Sequence, residues 1–162
     1  MSSLARSEDD KPLTVKVRGV YILEGEQSGN SPVVLLEDDS GRLMPLFVGL
    51  AEAISIHQAL SGEVSARPMT HDLFISALEN LNSMVDSVLI DDLEGGVYYA
   101  RLCIRRDEDS FEMDARPSDC LALALRQKSP IRVNRKVIEE ACISRSDIEG
   151  LKSLDVYLHD DI

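Results

Sequence analysis

Short alternations of apolar and polar residues open this chain, and helical spacing follows them. Val15-Lys-Val-Arg-Gly-Val-Tyr-Ile-Leu23 alternates and is rich in β-branched side chains, which predicts a strand. Gly25 to Pro32 is loop by its Gly, Ser and Asn content. Val33 to Glu37 and Leu43 to Val48 predict a hairpin around Asp38-Asp39-Ser40-Gly41. From Ala51 to Ser61 the period turns helical, with Leu50, Ala53, Ile54, His57 and Leu60 on one face and Gly62 as the stop. After an extended piece over Glu63 to Arg67, Thr70 is placed to N-cap a second amphipathic helix running to Leu81. Its inward face reads as Leu73, Phe74, Ala77, Leu78 and Leu81. Three more strands are predicted at Met84 to Ile90, Val97 to Arg105 and Ser110 to Ala115, with turns at Glu94-Gly95-Gly96 and Asp107-Glu108-Asp109.

The sharpest local signal is Asp114-Ala-Arg-Pro-Ser-Asp119, which leads straight into Cys120-Leu-Ala-Leu-Ala-Leu-Arg126. Pro117 suits a first helical position, because its fixed φ fits and its missing N–H would have no partner there. Asp119 then falls in the first turn, where unpaired N–H groups and the helix dipole favour a carboxylate. An extended Ile131-Arg-Val133 follows, then a short helix from Lys136 to Cys142 and a helical turn within Ser146 to Leu154. Shifting the chain by 67 residues lays Val20–Leu23 on Ser87–Ile90, Ala51–Ile56 on Ser118–Leu123 and Val64 on Ile131. The expectation is an α+β single domain with an internal repeat of two strand-strand-strand-helix units, a mixed or antiparallel sheet and packed helices. The repeat also puts Glu52 and Asp119 at equivalent helix starts.

Composition adds bounds. At 162 residues the chain is long enough for one domain with a proper core. No apolar run reaches the length of a membrane span, and Met1 to Pro12 reads as a loose polar tail without the apolar segment of a signal peptide. The three cysteines have no C-x-x-C spacing and read as reduced, mostly buried thiols of a cytoplasmic protein. The net charge of −12 argues against broad adhesion to nucleic acid, yet Arg116 to Lys136 is a window of +5 in a remainder of −17. That window could receive phosphates, form a solvated face or meet an acidic surface of another subunit. Small size and apolar helix faces make a homo-oligomer the expected state.

No phosphate-cradling Gly loop, H-E-x-x-H, nucleophile elbow or zinc spacing is present. What remains are polar residues at element ends: Glu52, Arg67, Thr70, His71, Asp72, Asp114, Arg116, Ser118 and Asp119. Capping alone explains Thr70 and Asp72, and His71 is either a packed imidazole or an acid/base group. His57 reads as a core or interface histidine. Arg67 and Arg116 could each hold a carboxylate within the fold or a phosphate oxygen. Acids beside a histidine are also what a hard divalent cation such as Mg²⁺ or Mn²⁺ needs. Such a cation would activate water for phosphodiester hydrolysis.

Leu46-Phe-Val-Gly49, Glu52-Ala53, Arg67-Pro-Met-Thr-His-Asp72, Asp114 to Asp119 with Leu121 to Arg126, and Pro130-Ile131 together resemble the bifunctional nuclease domain. The resemblance spans roughly Val15 to Cys142 and departs from the family pattern mildly, at Phe47 and Cys120. It implies an α+β fold with an internal repeat, and RNase and DNase activity of the kind described for plant members. It sets a domain at 13–143 between the tail at 1–12 and a C-terminal extension at 144–162. Carried over by position, the pattern falls on Glu52, Arg67, His71, Asp72, Asp114, Arg116, Ser118 and Asp119. The resulting expectation is a nuclease acting on RNA, single-stranded DNA or both. Glu52, Asp114 and Asp119 would bind the metal, and His71 and Asp72 would assist proton transfer with Asp119. Arg67, Arg116 and Ser118 would hold the substrate. Two alternatives stay open: a regulatory or assembly module whose polar cluster is structural, and a hydrolase of small nucleotides or phosphoesters.

Overall fold

A computed structural model describes residues 11–27 and 29–160, so the tail expected at 1–12 lies outside the described residues as far as residue 10. The strands are β1 (Leu13–Leu23), β2 (Ser31–Asp38), β3 (Leu43–Phe47), β4 (Ser83–Glu94), β5 (Val97–Arg106), β6 (Asp109–Ala115), β7 (Ile131–Val133) and β8 (Lys152–Ser153). The helices are α1 (Leu50–Ser61), α2 (Thr70–Asn80), α3 (Pro117–Gln127), α4 (Arg135–Ala141) and α5 (Leu154–Asp160). The architecture is α+β, as the alternating and helical periods predict.

Two antiparallel meanders are joined into one sheet of order β3-β2-β1-β7-β4-β5-β6, and β8 adds to β1. The joint is the three-residue β7, antiparallel to β1 (Leu13↔Val133) and parallel to β4 (Val88↔Ile131). Local chemistry sets the turns. The Asp38 carboxylate accepts from the Ser40 and Arg42 backbone N–H groups and from Arg42 Nε, which closes the first hairpin. Gly95 and Gly96 both take positive φ, the backbone a two-residue hairpin requires. Each meander leads into a helix, β1-β2-β3-α1 and β4-β5-β6-α3. The likeness is one of element order. It stops at Val64, the position paired with Ile131, which is exposed coil instead of strand.

The core lies between the sheet and the helices, with α3 at its centre: Cys120, Leu121, Ala122, Leu123 and Ala124 are all buried. Two inward faces differ from expectation. α1 buries Ala53 and Ile56, while Leu50 and Leu60 are exposed. α2 buries Ile75, with Phe74 and Leu78 partly covered and Leu73, Ala77 and Leu81 exposed. The cause is the same in both. Leu50, Ala51, Ala53, Ile54, Ile56, Ala59 and Leu60 run nearly round α1, and Leu73-Phe74-Ile75 are contiguous in α2, so periodicity leaves the stripe unspecified and packing beside α3 selects it. Helix α2 starts at Thr70 with Met69 as its N-cap, so the cap sits one residue earlier than expected. The segment 63–67 is coil and bend, the helical turn expected within Ser146 to Leu154 is a 3-10 turn at Arg145–Ile148, and the last helix, α5, begins at Leu154, which is fully buried. Among the described residues no helix is long and apolar enough to cross a membrane.

Candidate active site

Three chain segments meet where α1, α2 and α3 begin. Arg116 ends the extended run after β6 and N-caps α3, with Pro117 at the first helical position and Asp119 in the first turn. Glu52 holds the corresponding place in α1, folded over Gly49, where any Cβ would collide with its carboxylate. Arg116 joins the two helix starts. Its Nε donates to Asp119 Oδ2 at 3.0 Å, Nη2 to Asp119 Oδ1 at 3.3 Å and Nη1 to Glu52 Oε1 at 3.3 Å. The fork of a guanidinium allows this, because its planar donors can serve two carboxylates at once.

The second feature is a chain of hydrogen bonds centred on His71. Nε2 stands 2.8 Å from Asp119 Oδ1 and Nδ1 stands 2.6 Å from Ser55 Oγ. Burial pushes the Asp119 carboxyl up, but hydrogen bonds and charge from Arg116 and His71 outweigh it and hold it below the usual carboxylate range. Ionised Asp119 can only accept, so Nε2 carries a proton, and in the neutral ring Nδ1 accepts from the Ser55 hydroxyl. Arg126 Nη2 donates to the same Ser55 Oγ at 3.2 Å, which polarises that hydroxyl further. A Ser–His–Asp line beside a guanidinium can move a proton and steady a negative charge.

Two clefts open on this cluster. A smaller one of about 270 Å³ is lined by Ala51, Glu52, Ser55, Met69, Thr70, His71, Arg116 and Asp119. A larger one of about 710 Å³ shares Thr70, His71, Arg116 and Asp119 as its rim and has walls of Phe74, Tyr98, Leu102, Met113 and Leu123. Arg116 stands between them with 64% of its side chain exposed.

The other expected site residues fall as follows. Asp72 is turned away from the His71 line: its carboxylate accepts from the Met69 N–H at 2.9 Å and from Arg126 Nε at 2.8 Å. The Arg126 hydrogen bond, then that of Met69, holds its carboxyl below the usual range, against a smaller opposing effect of burial. Arg67 is exposed, lines neither cleft and pairs with nothing among the described residues. Ser118 is buried and lines a third cleft with Phe47, Gly49 and Arg116. Asp114 is exposed at the end of β6 on the wall of the larger cleft. Among the described residues no three His, Cys, Asp or Glu side chains form a group able to hold a metal ion. Glu52 and Asp119 share Arg116, and Asp114 does not join that bridge.

The basic window is partly spent within the fold, while Lys128 and Arg132 remain exposed. Arg116 is spent on Glu52 and Asp119, Arg126 is nine-tenths buried on Asp72 and Ser55, and Lys136 pairs with Asp92. His57, expected as a core or interface histidine, is partly covered, with Nε2 3.7 Å from Asp155 of α5. Ser55 was not anticipated as a site residue, and Arg126 only as part of the charge window. The available signal was spacing: Ser55 is three residues past Glu52, and Arg126 seven past Asp119, each on one face of its helix.

A family profile described as the bifunctional nuclease domain matches residues 33–146, which contain every site residue named above. An uncharacterised protein of Mycobacterium tuberculosis is 38% identical over 128 residues, covering 78% of this chain and 74% of its own length. Bifunctional nuclease 1 of Oryza sativa subsp. indica is 31% identical over 108 residues, 65% of this chain but 33% of the rice protein. Bifunctional nuclease 2 of Arabidopsis thaliana is 28% identical over 120 residues, 67% of this chain and 36% of the plant protein.

Proposed function

The chain belongs to the bifunctional nuclease domain family, and from that premise we propose that it hydrolyses phosphodiester bonds of RNA, single-stranded DNA or both. The observation that carries the proposal is the Ser55–His71–Asp119 line beside an exposed Arg116 in an open cleft. Arg116 receives the phosphate, exchanging part of its hold on Glu52 and Asp119 for the incoming anion. Asp119 fixes the ring and tautomer of His71. Both ring nitrogens of His71 are engaged, so a proton from an attacking water reaches it through the Ser55 hydroxyl. Removal of a positioned proton acceptor costs typically about 10²–10⁴ in rate. Asp72 and Arg126 hold this line in place from behind, and Ser118 and Arg67 have no part in the step.

The test is hydrolysis of single-stranded RNA and DNA by the purified chain in Mg²⁺, in Mn²⁺ and in EDTA. The arms also read whether a divalent cation is required. Turnover should be present in at least one arm and should fall at least a hundredfold in His71→Ala and Asp119→Asn with unchanged circular dichroism. Absence of turnover in all three arms on both polymers would sink the proposal. One observation favours a second reading: every carboxylate of the cluster except Asp114 is already paired with an arginine of the same chain, as in a structural or assembly module. That reading expects the same two variants to lose stability and to have no activity to lose.

A further inference from the structure

The 710 Å³ cleft meets the proton line only at its rim, and unlike the smaller cleft it is lined by aromatic side chains. Its lining carries Phe74 and Tyr98 among Leu102, Met113 and Leu123, with Thr70, His71, Arg116 and Asp119 at the rim it shares with the smaller cleft and Asp114 on its outer wall. The space arises because β6 is an edge strand. Leu102 pairs with Met113 and Ile104 with Phe111, so Met113 and Phe111 extend the core face of the sheet, yet both remain exposed. The volume is that of a small-molecule site, in the range of about 300–1,000 Å³.

We propose that this cleft is a nucleobase site. One unstacked base lies against Phe74 and Tyr98, and its phosphate reaches Arg116 at the rim. This deepens the nuclease reading, on which the identity of the ligand rests, and assigns its substrate class: a small nucleotide or the terminal nucleotide of a strand. Three observations carry it. Aromatic faces stack on any base, and a guanidinium at the edge of such a wall is the natural partner of the attached phosphate. Three of the basic residues that could have built a polymer track, Arg116, Arg126 and Lys136, are already paired with Glu52, Asp119, Asp72 and Asp92 of the same chain. The net charge of −12 repels a long polyanion and leaves a single phosphate as the affordable contact.

The experiment is calorimetric titration of the full chain, in EDTA, with 5′-AMP, ribose 5-phosphate, the dinucleotide pApA and a 20-residue oligodeoxyadenylate. 5′-AMP should bind about tenfold or more tighter than ribose 5-phosphate, since stacking of one base is of that order. Going from pApA to the 20-mer should add less than about threefold per site, and the salt dependence should correspond to one or two phosphates. Phe74→Leu, which keeps apolar bulk and removes the ring, should weaken 5′-AMP and leave ribose 5-phosphate unchanged. Met113→Glu on the exposed β6 side of the wall is the second variant, and should weaken 5′-AMP without touching the core. Equal binding of 5′-AMP and ribose 5-phosphate, no nucleotide binding, or a steep salt dependence with strong preference for the 20-mer would each overturn the proposal. The outcome separates from that of the nuclease assay. Polymer cleavage with no 5′-AMP binding removes the base site alone, and tight 5′-AMP binding without hydrolysis removes the nuclease reading alone.

Discussion

Arg116→Ala tests how the three helix starts are held together. The substitution removes the one group that joins Glu52 of α1 to Asp119 of α3. An exposed ion pair is worth about 0.2–1 kcal/mol, and hydrogen bonds to charged groups about 1.5–3 kcal/mol when sheltered. Because the arginine side chain is largely exposed, the lower range governs, and the loss at pH 7 should be about 1 kcal/mol. For a chain of this size that corresponds to about 2–4 °C in Tm. The pH dependence carries the sharper signature. Asp119 has its folded-state pKa depressed below the ordinary carboxylate range, so its contribution is complete above the unfolded value and is lost as pH falls through the lower, folded one. Without Arg116 that depression shrinks, so the gap between wild type and variant should be constant from pH 7 to 5 and narrow below about pH 4. Urea unfolding at pH 7, 5, 4 and 3.5 measures it. A gap that does not narrow in acid, or one above about 2 kcal/mol at neutral pH, would mean that Arg116 acts through packing and that the electrostatic account is wrong.

Two further outcomes follow from the packing. Ile56→Ala should destabilise by about 2–5 kcal/mol, as for a fully buried large-to-small change, whereas Leu60→Ala should cost under about 1 kcal/mol, because 39% of Leu60 is already exposed. Equal costs in urea unfolding would contradict the observed face of α1. Alkylation at pH 8 should modify Cys142, which is exposed, and spare Cys120, whose thiol is pushed up to about 12 by burial and the nearby Asp119 and Asp114 charges. Mass spectrometry of tryptic peptides reads both sites, and early labelling of Cys120 in the native protein would refute its placement in α3.

Strands and turns of the two meanders were legible because their signals are local. Alternation over Val15–Leu23, the Asp38 turn and the Gly95-Gly96 pair each fix a short piece of backbone without reference to the rest of the chain. The α3 start was legible for the same reason, since Pro117 and Asp119 state the helix register by themselves. The faces of α1 and α2 were not, because both helices carry more apolar residues than one stripe needs. Which of them turn inward depends on where α3 lies, and that is tertiary information. The joining strand β7 is three residues long, too short for its apolar alternation to say that it bridges β1 and β4.

The site shows the same division more sharply. Glu52, His71, Arg116 and Asp119 converge as their positions at element ends suggested. Net charge by window is a coarse guide, because it counts a guanidinium equally whether it faces solvent or a carboxylate. Arg126 lies only 10% exposed against Asp72, so its charge supports α2 and is withdrawn from any surface that a polyanion could meet. The same pairing explains why Asp72 and Asp119, neighbours of one histidine in space, take different parts. Asp72 accepts from the α2 backbone and from Arg126, both fixed within the fold. Asp119 accepts from His71 and from Arg116, whose guanidinium reaches both clefts and can be claimed by an anion from outside. Only the second arrangement lets a ligand alter the charge felt by the histidine. Any chemistry at this cluster therefore runs through the Arg116 side of it.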